Sequence, residues 1–204
     1  MNYDNRKIAG FLFFVGVVQF VLTMVASESI YSGYSVGQQY VSDLGNWSLA
    51  GNSAAIFNAS VILMGVFIIA GAYFIQRELK SRLFSSLVVI IGVGIIGLGV
   101  VAEDVSFSVH SIFALFVFVF GGAFAIMLYK FEKSPLSHIS AILGAIMLAA
   151  LVLFISGWSS SSFYLGLGLG GMERFIIYPF LLWILGFGAY LIGESSNTAL
   201  TSNT

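Results

Sequence analysis

Residues 84–102 read FSSLVVIIGVGIIGLGVVA, a run of 19 residues without a charged side chain. An α-helix of about 20 apolar residues is long enough to cross the ~30 Å hydrocarbon core of a bilayer. Five further stretches of similar length are predominantly apolar. The sequence therefore predicts an all-α integral membrane protein, a bundle of six transmembrane helices. The predicted spans are residues 8–26, 54–75, 84–102, 109–129, 139–156 and 172–193.

The composition also indicates a membrane protein. Of 204 residues, 59% are hydrophobic and only 8% are charged, whereas about a quarter are charged in soluble domains. The net charge of −1 argues against nucleic acid as a partner. Without cysteine, the chain can form no disulfide, iron–sulfur cluster or thiolate metal site. Membrane lipids are the expected partners, a membrane-protein partner or a homo-oligomer stays open, and no cofactor is indicated.

The distribution of basic residues predicts the orientation in the membrane. Seven of the eight fall on one side of the spans, and only Arg174 falls on the other. Loops on the cytoplasmic side carry the excess of Lys and Arg. We therefore expect a multi-pass protein of the cell membrane with cytoplasmic N- and C-termini. The first apolar run is longer than the 7–15-residue core of a signal peptide, so it is predicted to be retained as a span.

The remaining organisation is simple. Residues 1–194 are predicted to form a single six-helix transmembrane domain. Residues 195–204 are rich in Ser, Thr and Asn and are predicted to be a disordered cytoplasmic tail. The sequence thus places all candidate chemistry within the membrane domain.

The first outer loop is predicted to contain a short interfacial helix. Ser35 and Gln38 have the spacing of a capping box, and Gly45 would end the helix. Asp43 falls at the edge of its apolar side and could face the bundle. The apolar side is made of Val36, Tyr40, Val41 and Leu44.

Asn46 is a candidate glycosylation site in the same loop. It begins the sequence Asn46-Trp47-Ser48, which has the pattern of an N-glycosylation acceptor. The positive-inside rule places it on the outer side. Three-residue matches of this kind are common, so the match alone does not decide whether Asn46 is glycosylated.

Most of the other ionisable residues are predicted to gather at one depth, on the outer side. Charged groups at the edge of a membrane bundle are costly unless they are paired or face a wet cavity. Arg174 departs both from the positive-inside tendency and from the preference of a helix N-terminus for anions. We therefore expect it to have a carboxylate partner among Asp43, Glu103 and Asp104. The full cluster is Asp43, Glu103, Asp104, His110, Glu173 and Arg174.

Two interpretations of this cluster remain open. In the first, the charges are a structural ion-pair clamp involving Arg174, Glu173 and Glu103. In the second, they line an outward-facing polar pocket with catalytic His110 as general base, oriented by Asp43 or Asp104. Arg174 would then hold an anionic head group of a substrate.

A metal centre is not predicted. A zinc site with three histidines is impossible, because the outer side has only one histidine. A divalent ion held by Asp43, Asp104 and His110 is formally possible, but only the residue types support it.

Three motifs resemble the membrane proteins of domain-of-unknown-function family 998. The first is Tyr40-Val41-Ser42-Asp43-Leu44-Gly45, and the second is Glu103-Asp104 followed by His110 and Ala114. The third is Gly171-Met172-Glu173-Arg174 leading to Leu182-Trp183. The resemblance covers nearly the whole chain and implies a six-span fold without an established reaction. It also implies an amide at the position of Glu173, from which this chain departs.

The sequence thus predicts a polytopic membrane protein of unassigned molecular function with an outward-facing polar pocket. A structural, lipid-binding or complex-subunit role is favoured. The alternative is a membrane-embedded hydrolase acting on a lipid or lipid-linked substrate at the outer leaflet, so enzymatic activity is uncertain. A small transporter is less supported, because no charged residue falls at mid-depth in any span.

Overall fold

The computed structural model describes residues 4–201, without the side chains of residue 79 and residues 194–201. Among the described residues there is no β-strand, and six helices are long and apolar enough to cross a membrane. The prediction of an all-α, six-span bundle is therefore confirmed. The spanning helices are α1 (Asn5–Ile30), α3 (Ser53–Leu79), α4 (Arg82–Val100), α5 (Phe107–Met127), α6 (Leu136–Gly157) and α7 (Gly168–Thr201).

The six spanning helices form a closed ring. Each packs against the next one along the chain, and α7 returns to pack against α1. Aromatic side chains fill the ring in the half that contains the chain ends. There the ring of Phe84 lies 4.8 Å from that of Phe124, and the ring of Phe124 lies 5.7 Å from that of Trp183. A cavity of about 20 Å³ remains among these rings, so the centre of the bundle is well packed at this depth.

Glycines allow two neighbouring pairs of helices to approach closely. A Cβ atom on Gly144 of α6 would lie 2.6 Å from the carbonyl oxygen of Gly122 of α5. A Cβ atom on Gly65 of α3 would lie 2.7 Å from the carbonyl oxygen of Gly92 of α4. Because lipid is as apolar as a helix surface, close backbone contact of this kind is a main source of helix association in membranes.

The two ends of the ring differ. One end, which we call the Arg174 end, carries the connecting segments 31–52, 101–106 and 158–167. The other, which we call the terminal end, carries the short connections 80–81 and 128–135 together with the start of α1. The orientation of these ends relative to the cell stays a prediction.

The prediction that one interfacial helix covers residues 35–45 is wrong. The structure has turns at residues 36–38, a 3₁₀ helix at Ser42–Gly45 and one helical turn, α2, at Trp47–Ala50. The backbone N–H of Ser35 donates to the Gln39 side chain at 2.7 Å. That of Tyr40 donates to Asp43 at 2.9 Å. Asp43 thus satisfies the Tyr40 N–H, which a continuous helix would pair with a backbone carbonyl, and this favours the irregular path.

At the other end of the sequence, α7 continues to Thr201. It therefore covers residues 195–201 of the segment predicted to be a disordered tail, because no helix-breaking residue interrupts the chain there. Residues 202–204 lie outside the described part of the chain. The boundary of the membrane domain stays a prediction.

Candidate functional site

Arg174 is the centre of a network at the Arg174 end. Its side chain is only 4% exposed. Its Nη2 donates to Glu28 Oε1 at 2.5 Å and to the Tyr34 hydroxyl at 2.9 Å. Its Nη1 donates to the carbonyl oxygens of Val36 at 2.8 Å and Gly170 at 3.0 Å. These five residues, the Arg174 clamp, tie the end of α1 and the segment after it to the first turns of α7.

The sequence predicted the chemical type of the Arg174 partner but not which residue it is. A carboxylate partner is present, but it is Glu28 and not Asp43, Glu103 or Asp104. The helix α7 begins at Gly168 rather than near residue 172, and Arg174 contacts the last turn of the neighbouring helix α1. Nη1 and Nη2 of the guanidinium are engaged in the clamp, while Nε is buried without a hydrogen-bond acceptor among the described residues.

The position of Glu28 in the sequence also indicates an ion pair. It lies in the last turn of a helix, where the dipole disfavours an anion. A residue that breaks this preference at the edge of a membrane span requires a partner. Each of Arg174 and Glu28 has a charge that its own helix end disfavours, and the ion pair between them compensates for both.

Two carboxylates hold the segment 40–45 over the interior of the ring, and we call this segment the roof. Glu173 of α7 accepts a hydrogen bond from the backbone N–H of Val41. Glu103, just after α4, accepts one from the Ser42 hydroxyl at 3.0 Å. Charge-assisted hydrogen bonds of this kind are stronger than neutral ones. The roof is therefore anchored by acidic side chains to α7 and to the connection after α4.

Two cavities meet beneath the roof. The larger one has a volume of about 300 Å³ and lies between α5 and α6. The smaller one has a volume of about 80 Å³ and extends toward α1, α3 and α4. The walls of both are mainly apolar. The residues that line both cavities are Ser42, His110, Ala114, Phe118 and Glu173.

The larger cavity opens sideways, toward the surface that lipid would cover. Ile112 and Leu115 of α5 and Ile155 of α6 line it, and all three side chains are exposed on the outside of the bundle. A cavity bounded by residues that also face outward is accessible from that side. A molecule within the bilayer could therefore enter between α5 and α6.

His110 presents one nitrogen to these cavities. Its Nδ1 lies 2.8 Å from the carbonyl oxygen of Val101. Because a carbonyl only accepts, Nδ1 must carry the proton, and in the neutral ring Nε2 is then an acceptor. The predicted general base thus has a fixed orientation, although a backbone carbonyl provides it instead of Asp43 or Asp104.

The other two predicted catalytic residues lie elsewhere. Asp43 is buried in the roof, where its Oδ2 accepts from the N–H of Tyr40. Asp104 is exposed and accepts from the hydroxyl and the N–H of Ser48, at 3.0 and 3.1 Å. Among the side chains that the structure describes, no three His, Asp or Glu residues are arranged to hold a metal ion. Asp43, Asp104 and His110 therefore do not form the formally possible divalent-ion site.

Burial further disfavours the ionisation of two tyrosine hydroxyls in this region. It raises the pKa of both Tyr34 and Tyr40 to about 12. The Tyr34 hydroxyl donates to the carbonyl oxygen of Tyr40 at 2.7 Å, which links the Arg174 clamp to the roof. Tyr40 itself lines the larger cavity.

Asn46 is buried and serves as the N-cap of α2. Its Oδ1 accepts from the N–H groups of Ser48 at 3.0 Å and Leu49 at 3.1 Å. A glycan is bulky and requires an exposed asparagine. This placement disfavours Asn46 as a glycosylation site in the folded chain.

Comparison with known proteins identifies the family. No curated protein and no solved structure matches this chain. The family model described as "Protein of unknown function (DUF998)" matches residues 14–190. This match extends from the first membrane span to the last. The protein is therefore a member of the DUF998 family of membrane-spanning proteins of unknown function.

Proposed function

We propose that this protein binds a lipid or another amphiphile from the outer leaflet. The apolar chain of the ligand would lie in the larger cavity between α5 and α6. Its polar head would lie under the roof. The observation that carries this proposal is the sideways opening of an apolar cavity that ends on polar side chains. Its volume of about 300 Å³ is within the range of ligand pockets.

The polar end of the cavity favours a head group that donates hydrogen bonds and carries no negative charge. Glu103 and Glu173 present carboxyl oxygens, and the Nε2 of His110 is an acceptor when the ring is neutral, because Nδ1 donates to Val101. Arg174, the nearest guanidinium, is engaged in the clamp. Hydroxyl or ammonium groups complement such a site, whereas a phosphate monoester would be repelled.

Filling the cavity tests the proposal. Ala114 lines both cavities, and Ala123 lies exposed on the same helix. The protein is purified in mild detergent, and the lipid retained by each variant is measured by native mass spectrometry. Ala114→Phe should lose most of the lipid that wild type retains, while Ala123→Phe should retain it. Equal retention by a folded Ala114→Phe variant would overturn the proposal.

The runner-up function is a hydrolase acting on a lipid. The fixed orientation of His110 in a cavity open to the bilayer supports it, because a general base must reach the proton that it removes. Wild type and His110→Asn are incubated with bilayers of total lipid extract, and fatty acids and released head groups are measured. Product release by wild type that His110→Asn abolishes would favour the enzyme. Unchanged lipid in both samples would eliminate it.

A further inference from the structure

A second cavity, independent of the one under the roof, lies at the terminal end. It has a volume of about 340 Å³ and is bounded by the start of α1, the start of α4, the connection after α5 and residues 187–191 of α7. Apolar side chains form most of its wall. Its polar lining includes Arg6, Glu132, Lys133 and Tyr190.

Glu132 is the unusual group in this cavity. The residue is only 8% exposed, and neither carboxylate oxygen has a hydrogen-bond donor among the described residues. An unpaired carboxylate out of contact with water is unfavourable by several kcal/mol. The Ser140 hydroxyl lies near but does not reach hydrogen-bond geometry. Glu132 therefore lacks the donor that a buried carboxylate requires.

The surroundings of Glu132 restrict what that donor can be. Arg6 and Lys133 line the same cavity, and Arg6 Nε also lies 3.4 Å from Glu78 Oε1. A ligand with only a positive charge would be repelled by these two basic groups. A zwitterion can direct its ammonium to Glu132 and its phosphate toward the basic groups.

The cavity also has a membrane-facing side. Leu83 and Phe131 line it and are exposed on the outside of the bundle. They lie next to the ends of α4 and α5, at the depth where lipid head groups meet the hydrocarbon. A lipid could therefore place its head in the cavity while its chains stay in the bilayer.

We propose that this cavity binds the head group of a phospholipid with a primary ammonium, and that Glu132 is its counter-ion. A primary ammonium has three N–H donors, which a quaternary ammonium lacks. The site should therefore take phosphatidylethanolamine in preference to phosphatidylcholine. It should also take it in preference to phosphatidylglycerol, which carries no ammonium.

Lipid retention in nanodiscs tests this assignment. The full chain is reconstituted in equal mixtures of the three phospholipids, and the lipid retained after ejection is identified by native mass spectrometry. Wild type should retain phosphatidylethanolamine. Glu132→Gln should retain at least about tenfold less, because removing one partner of a buried charge pair weakens binding at least that much. Asp104→Asn, which changes an exposed acid at the Arg174 end, should retain as much phosphatidylethanolamine as wild type.

A stability measurement separates binding from folding. Burial raises the pKa of the Glu132 carboxyl, and the nearby Ser140 hydroxyl offsets this only in part. An acid whose pKa is raised by folding destabilises the fold once it is ionised. In nanodiscs of phosphatidylcholine alone, Glu132→Gln should therefore be at least as stable as wild type. Phosphatidylethanolamine should raise the Tm of wild type and not that of Glu132→Gln.

Three outcomes would overturn the proposal. The first is equal retention of phosphatidylethanolamine and phosphatidylcholine by wild type, a result that does not depend on any variant folding. The second is undiminished retention by Glu132→Gln. The third is protection by free phosphoethanolamine equal to that by the lipid, which would assign the site to a soluble ligand. None of these outcomes affects the cavity under the roof.

Discussion

Arg174 and Glu28 are 146 residues apart in the chain, yet Nη2 of one lies 2.5 Å from Oε1 of the other. Both side chains are largely removed from solvent, with exposed fractions of 4% and 19%. The pair therefore acts in a region of low dielectric, where removing one partner leaves an uncompensated charge. It joins the first spanning helix to the last and so closes the ring at this end.

Replacement of Arg174 should be strongly destabilising. Arg174→Ala leaves Glu28 without its cation and removes the donors to Val36 and Tyr34. We expect a loss of about 3–5 kcal/mol in the free energy of unfolding, as for other broken buried pairs. Thermal unfolding in detergent measures it. Arg82→Ala, at an exposed position of the terminal end, should change stability little, and equal effects of the two changes would contradict the clamp.

Gly170 should tolerate no side chain. A Cβ atom there would overlap the carbonyl oxygens of Gln39 and Val36, so the segment after α1 could not dock on α7. Gly170→Ala should therefore lower the Tm. Gly193→Ala is a matched control in the same helix, because a Cβ atom there meets nothing within 4 Å. That control should be neutral or slightly stabilising, since alanine favours helix by about 0.5–1 kcal/mol.

The charge on Asp43 should reduce stability at neutral pH. Burial raises the pKa of this carboxyl, the hydrogen bond from Tyr40 opposes the rise, and the charge of Glu103 adds to it. An acid with a raised pKa in the fold loses stability as the pH rises from about 4 through that pKa. Asp43→Asn keeps an oxygen for the N–H of Tyr40. Its Tm should exceed that of wild type at about pH 7 and approach it near pH 4.

Asp104 is a control for which the expected dependence of stability on pH has the opposite sign. Desolvation acts to raise the pKa of Asp104, but hydrogen bonds from the hydroxyl and N–H of Ser48 outweigh it and lower the pKa. Its stabilising contribution is present above the unfolded pKa and is lost as the pH falls. Asp104→Asn should thus lower the Tm near neutral pH. The same pH profile for both variants would refute the assignment of these environments.

Cysteine labelling can determine the orientation. The chain has no cysteine, so a single introduced thiol reports one position. Ser48→Cys lies at the Arg174 end and should react with an impermeant maleimide on intact cells. Ser81→Cys lies at the terminal end and should react only after permeabilisation. The reverse pattern would place the Arg174 end in the cytoplasm and invalidate an outer-leaflet ligand.

The membrane fold was predictable because its cause is local. A run such as residues 84–102 specifies a helix by itself, since a backbone in lipid must satisfy its own hydrogen bonds. The six spans and their order required no information about contacts between helices. The same reasoning failed for residues 35–45, where Glu173 and Asp43 accept backbone N–H groups that a local helix would have paired.

The sequence predicted several residues that line the candidate site, but not which residues contact each other there. His110, Glu103 and Glu173 line a common cavity, as their shared depth suggested. The depth of a residue follows from its distance along the chain to the end of a span. Its neighbours across the bundle depend on the rotation of each helix and on which helices are adjacent, and neither follows from periodicity in a span that is apolar on every side.

The sequence by itself determined that this chain spans a membrane six times and that Arg174 requires a carboxylate, because burial in lipid imposes both. Only the tertiary structure decided that the carboxylate is Glu28, that Asp104 faces outward and that Glu132 is buried without a donor. These facts depend on how the six spanning helices and their connections pack in a closed ring. Such contacts are set by packing between distant segments, which no local pattern records.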